Sequence, residues 1–357
     1  MAAPAPDPAR FGTLAAFEAA AREFMAPAVL DYVAGGSWDE VTLAENSAAF
    51  RRYRFRPAVL SGVTTADLST TILGRDAAVP LAVAPMAQQG WCHPDAELPA
   101  ARAAAAAGWT FALSTLSTCS MEAVAAETAL AGPGARWFQL YIQRDLALTR
   151  SLVERAAAAG YEAVVVTVDV PVLGYRGTDL RGVGLGERRG NFPPQGHDRT
   201  PPARGRTPLT WELIDEVRTW SGLPLVIKGL LTGEDAGRAV DHGAAGILVS
   251  NHGGRQLDRT PAAIDALGEV VGAVDGHAEV YLDGGVRRGL DVVLALALGA
   301  RAVFVGRPIL YALSVAGEAG VARALEIVRV ETERAMVLLG AGSVRDLTPD
   351  RVQPSRG

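Results

Sequence analysis

Eight short apolar runs recur along the chain, each followed by a stretch of helical character, and this alternation limits the possible folds severely. The runs are LAVAPM (81–86), TFALST (110–115), RWFQLYI (136–142), AVVVTVD (163–169), PLVIKG (224–229), GILVSN (246–251), EVYLDGG (279–285) and AVFVG (302–306). Each is apolar almost throughout, not at alternate positions. Both faces of such a strand must be covered, which describes a parallel sheet. The intervening segments, such as RDLALTRSLVERAAAAG and RRGLDVVLALALG, read as alanine-rich amphipathic helices closed by glycine. Eight strand–helix units predict an α/β protein, a (β/α)8 TIM barrel. A doubly wound open sheet is the alternative. The strand count disfavours it, as does the lack of a glycine fingerprint after the first strand.

One domain then spans 1–357, with a loose tail over 1–10 and a helical N-terminal extension over 11–75. The connection after the fourth strand, 171–210, is long and rich in Gly, Pro and Arg, so it reads as a lid-like loop. Its GVGLG has the wrong glycine spacing and context for a dinucleotide loop.

Composition removes several function classes. A net charge of -5 gives no basic excess for binding nucleic acid. The longest apolar stretch, 292–300, is stopped by Arg301, so no membrane span is expected. The 2 cysteines, Cys92 and Cys119, supply neither a disulfide framework nor a metal site, and the chain reads as reduced and cytoplasmic. Of the 34 basic residues only Lys228 is a lysine. It ends an apolar strand, where a compact ammonium does what a guanidinium cannot.

In a barrel of this kind the active site lies at the carboxyl ends of the strands. Those positions hold Met86, Ala87, Ser114, Gln139, Tyr141, Thr167, Asp169, Lys228, Ser250, His252, Arg255, Asp283 and Arg307. Polar groups thus converge on one rim from every strand. Gly284, Gly285 and Arg287 after the seventh strand, and Gly306 and Arg307 after the eighth, form turns suited to a phosphate.

The segments SNHGGRQLD, VIKG, TVDVP, WFQLY and LDGGVRRGLDVVLALALGARAVFVGRP closely resemble the FMN-dependent 2-hydroxy acid oxidase and dehydrogenase family, from about Asp31 to Gly340. The resemblance implies an FMN-bearing barrel that oxidises a 2-hydroxy acid to a 2-oxo acid. By that likeness His252 is the base, and Asp169 holds and charges its imidazole. Arg255 and Arg176 grip the substrate carboxylate, while Tyr32 and Tyr141 bond the substrate. Lys228 stands beside flavin N1 and O2. Pro85, Met86, Ala87, Ser114, Gln139, Thr167 and Ser250 line the ring system and ribityl chain, and Arg287 and Arg307 hold the phosphate. Gly253 and Gly254 would then let flavin and substrate approach the backbone. The family also implies a homo-oligomer, a tetramer.

Some positions depart from the family pattern. The fourth loop is short, and Tyr175 replaces a frequent arginine. Leu116 stands where glycolate oxidases often carry tryptophan. With Ala87 opposite, Leu116 predicts an (S)-2-hydroxy acid larger than glycolate, with an aliphatic or aryl side chain. No cytochrome domain or membrane-binding segment is evident, which points to O2 as acceptor and hydrogen peroxide as product. A dehydrogenase using a soluble electron carrier is the alternative. An FMN-dependent isomerase of the isopentenyl diphosphate type or a non-catalytic flavin protein would account less well for His252 paired with Arg255.

Overall fold

The computed structural model describes residues 6–177, 188–192 and 208–355. Eight parallel strands close into a barrel: β1 (Leu81–Met86), β2 (Thr110–Ser114), β3 (Arg136–Leu140), β4 (Ala163–Thr167), β5 (Leu225–Leu230), β6 (Gly246–Val249), β7 (Glu279–Leu282) and β8 (Ala302–Val305). Each pairs with its sequence neighbours, and β8 returns to β1. The open-sheet alternative is therefore excluded.

Both faces of the strands are buried, as their apolar runs require. Inside, Trp137, Tyr281 and Phe304 pack with ring centroids 5.4–5.9 Å apart. Ala82, Ala84, Ala112, Ala163 and Ala302 leave room for these large rings, so the interior is a packed core. A hairpin, Thr70–Ile72 with Arg75–Ala77, closes the amino end. Its Leu73 N–H donates to the Glu279 carboxylate at 3.1 Å.

The expected helices form as Leu98–Ala106, Leu146–Ala158, Gly233–Asp241 and Gly289–Ala297. The following glycines, Gly108, Gly160, Gly243 and Gly299, all have positive φ. Among the described residues no helix is long and apolar enough to cross a membrane.

Three sequence expectations need adjusting. Strand ends were drawn too long: β3 stops at Leu140 and β6 at Val249, so Tyr141 and Ser250 to Arg255 sit in loops. The expected loose tail is partly ordered, with a 3-10 turn at Pro8–Arg10 leading to buried Phe11. The extension's helical stretch is split into Leu14–Phe24 and Pro27–Ala34, because Pro27 cannot continue the first helix. Of the lid-like loop, 178–187 and 193–207, including GVGLG, lie outside the described residues.

The extension is stitched to the barrel mouth. Asp258 accepts hydrogen bonds from the N–H groups of Asp39, Val41 and Thr42 at 2.8–3.3 Å. Asn46 and Asn251, both buried, exchange two amide hydrogen bonds of 2.8 Å. These bonds bring residues far apart in sequence to the same rim.

Candidate active site

The loop after β6 places His252 in a left-handed backbone, φ 58°. A side chain held there costs on the order of 1–3 kcal/mol, so the surroundings must fix it. Ser250 contributes: its Oγ accepts from the His252 N–H at 3.0 Å and from Lys228 Nζ at 2.7 Å. The imidazole Nδ1 lies 3.1 and 3.2 Å from the two Asp169 oxygens. The carboxylate therefore holds the proton on Nδ1, and Nε2 is left as acceptor, 3.3 Å from the Tyr141 hydroxyl.

Asp169 fits because β5 bulges at Gly229, φ 110°. A Cβ at Gly229 would come within 2.6 Å of Asp169 Cβ. Burial pushes the Asp169 carboxyl up, but His252, Lys228 and hydrogen bonds outweigh it and hold it below the usual carboxylate range. Burial holds the His252 imidazole below its usual value, and Asp169 only partly reverses this. The pair is thus an ionised acid and a neutral base. That suits proton abstraction near neutral pH.

Around this pair lies a cavity lined by Tyr32, Pro85, Met86, Ala87, Ser114, Leu116, Tyr141, Arg176, Lys228, Arg255, Asp283, Gly284, Gly285, Arg287, Gly306 and Arg307, among others. The sequence-predicted residues are therefore brought together. Gln139, Thr167, Asp169 and Ser250 stand behind the lining and hold it. Ser114 Oγ donates to Gln139 at 3.2 Å, and Gln139 donates to Thr167 at 3.0 Å.

The Arg255 and Arg176 guanidiniums lie over the Tyr32 ring at 4.6 and 5.5 Å. Arg255 also donates to the Tyr32 and Gly35 carbonyls at 2.6 and 2.8 Å. Tyr32 thus positions both cations on one wall. An acid's carboxylate is the natural partner for such a pair.

The glycines of the motif also answer to the protein's own packing. A Cβ on Gly253 would meet Arg307 at 2.7 Å, and one on Gly254 would meet the Leu43 backbone at 2.6 Å. They make room for the protein's own arginine and extension, and Gly253 also lines the cavity.

The chain matches the model of the FMN-dependent dehydrogenase family over residues 21–354. The chain belongs to this family. It is 45% identical to an L-lactate oxidase of Nostoc sp., covering 93% of this chain and 95% of that protein. It is 44% identical to the glycolate oxidase of Spinacia oleracea, covering 94% of each. Among solved structures, a mandelate oxidase with (S)-4-hydroxymandelic acid superposes with a TM-score of 0.89 at 44% identity, covering 97% of this chain and 99% of that one.

The cofactor of the family is FMN, and two features of the cavity suit it. Arg307 is half-buried and, among the described residues, donates to carbonyls alone, those of Val33, Gly35 and Gly253 at 2.8–3.1 Å. Burial, with Arg255 and Arg287 nearby, pushes this guanidinium down to about 9. An arginine keeps its proton in proteins, so the site calls for an anion, and the phosphate of FMN would supply one near the start of the Arg307–Leu339 helix. At the other end Asp283 Oδ1 is buried with no hydrogen-bond partner among the described residues, while Oδ2 lies 3.4 Å from Lys228 Nζ. A ribityl hydroxyl is a donor suited to Oδ1.

Several lining residues escaped the sequence reading: Trp91, Cys92, Gln88 and Gln256. Trp91 meets Tyr32 edge-on with centroids 5.0 Å apart. Burial pushes the Cys92 thiol up to about 12, so it acts as a small apolar group. Gln256 was detectable, since it directly follows Arg255 in the motif. Trp91 and Cys92 follow β1 at a distance that no strand-end rule covers.

Proposed function

We propose that this protein oxidises an (S)-2-hydroxy acid to the 2-oxo acid, with O2 as acceptor and hydrogen peroxide as the second product. The observation that carries this reading is His252, with Asp169 on Nδ1 and Nε2 open to the cavity, facing a wall of two tyrosine-stacked arginines. Arg176 and Arg255 bind and orient the carboxylate of the acid. Tyr141 and Tyr32 address its polar atoms. His252 Nε2 receives a proton as the acid is oxidised, and the Asp169 carboxylate makes the resulting imidazolium less costly. When bound, FMN supplies the two-electron acceptor for the hydroxyl-bearing carbon. Lys228 holds a fixed positive charge in the cavity, stabilising negative charge that develops there.

The acid is larger than glycolate, with an apolar or aryl side chain. Leu116 and Ala87 support this, and Trp91 and Cys92 extend the apolar wall. The same reading makes the protein a reduced, cytoplasmic homo-tetramer, which size-exclusion chromatography with light scattering tests.

The decisive experiment is anaerobic mixing of the purified yellow protein with a panel of 2-hydroxy acids. Bleaching of the flavin, followed by peroxide release on admitting air, is expected. Bleaching without peroxide points to a soluble carrier. No bleaching by any acid removes the reading.

A further inference from the structure

We propose that Gln256 is a positioning residue that holds the loop after β4 in place and thereby sets both Asp169 and Arg176 against the substrate. The inference rests on the reading of His252 as proton acceptor. Gln256 Nε2 donates to the Asp169 and Val172 carbonyls at 2.8 and 2.9 Å, and its Oε1 accepts from the Gly174 N–H at 3.1 Å. One side-chain amide therefore uses both donors and its acceptor on a single stretch of six residues. Asp169 begins that stretch, and Arg176 lies two residues beyond its end.

The anchor itself is fixed. Gln256 is buried, and its own carbonyl accepts from Ser37 Oγ. The loop also lies very close to its support. A Cβ at Gly174 would come within 2.4 Å of the Arg255 carbonyl and 2.9 Å of Gln256 Cα. With no space between the loops, an amide rivet sets their separation to a fraction of an ångström. The distance it controls is the one between Asp169 and His252.

The charged and titratable groups facing His252 come from several elements. Asp169 lies after β4, Lys228 on β5 and Asp283 after β7, and all three act on the imidazole electrostatically. Tyr141 touches Nε2, and Arg176 and Arg255 share the cavity. Of the three that act electrostatically, only Asp169 is held by Gln256. Because Asp169 is the strongest influence raising the His252 pKa, releasing it lowers that pKa and leaves the imidazolium less stabilised.

The test is Gln256→Met, which keeps the length and removes all three bonds, studied in the FMN-loaded protein. The His252 pKa is followed by NMR of isotopically labelled histidine, the signal being assigned by its loss in His252→Gln. The rate of flavin reduction is measured alongside. We expect the His252 pKa to fall and reduction to slow by ~10–100-fold, the scale of misplacing a reacting group by about an ångström. The KM should also rise, because Arg176 moves with the loop. Gly174→Ala pushes the same loop off the Arg255–Gln256 backbone while keeping the Gln256 amide, and it serves if Gln256→Met does not fold. It should move both readouts in the same direction. An unchanged His252 pKa in a folded variant overturns the proposal, whatever happens to thermal stability. Failure of the wild type to be reduced by any hydroxy acid would instead sink the catalytic reading, and the histidine titrations would still report on the rivet.

Discussion

Replacing Arg307 with alanine should separate the two jobs of this side chain. It bonds the carbonyls of Val33 and Gly35 in the extension and Gly253 in the β6 loop, at 2.8, 3.1 and 2.9 Å. It also lines the cavity, where the proposed reading gives it the FMN phosphate. Losing one charge-assisted contact to phosphate costs about 1.5–3 kcal/mol. At ~1.4 kcal/mol per decade the Kd for FMN should rise roughly 10- to 150-fold. The carbonyls left without a donor should cost a further ~1–3 kcal/mol of stability, less if water reaches them. Arg287→Ala provides the contrast. Its guanidinium makes one long contact to Glu18, at 3.9 Å, and one to its neighbour's carbonyl at 3.4 Å. FMN binding should therefore weaken with little change in the melting temperature of the flavin-free protein. The assay is removal of FMN, followed by titration back with flavin fluorescence, beside thermal unfolding of the flavin-free variants. A folded Arg307→Ala protein that rebinds FMN with wild-type affinity would refute the phosphate assignment.

Four other outcomes are expected. His252→Gln should bind FMN yet lose at least the ~10²–10⁴-fold typical of a general base in anaerobic flavin reduction; near-normal reduction would remove His252 from the chemistry. Because the imidazole must be neutral and burial holds its pKa below the usual histidine value, kcat/KM should stay flat through the ordinary histidine range as pH falls and decline only below it. A limb above that range would contradict the dyad. Arg255→Lys keeps the charge but cannot reproduce the bonds to Tyr32 and Gly35, so both KM and the reduction rate should worsen; wild-type values for both would show that charge alone suffices. Leu116→Trp should move preference from mandelate or 2-hydroxyoctanoate towards glycolate, roughly ten- to two-hundred-fold per side-chain group excluded, and an unchanged ranking would show that Leu116 does not set the pocket.

The barrel was legible because strands covered on both sides must be apolar throughout, and no local rule competes with that pattern. The strand-end rule put Lys228, His252, Asp169 and the arginines after β7 and β8 on one rim, where the structure also has them, while the pairing of His252 with Asp169 came from the family resemblance. What stayed hidden depends on packing partners distant in sequence. Nothing near Gly254 says that Leu43 will lie against it, and nothing near Asp169 says that a bulge at Gly229 will make room. Gln256 is ordinary as a residue type, and its role depends on three backbone atoms across a loop–loop contact. The resemblance places Ser250 along the flavin but says nothing of its hydroxyl, which bridges Lys228 to the His252 backbone.

The stitching of the extension to the mouth has a consequence for biosynthesis. Ser37, Thr42 and Asn46 leave the ribosome early, but their partners lie in the loop after β6, more than 200 residues later. Val33 and Gly35 wait longer still for Arg307, a separation of over 270 residues. At translation rates of about 5–20 residues per second, that interval is roughly ten seconds to a minute. During it these residues lack the partners they will have in the finished rim, and β1 has no β8 to close against. The flavin site is therefore completed only when the last quarter of the chain arrives, so a nascent chain cannot hold its cofactor while most of the barrel is already made.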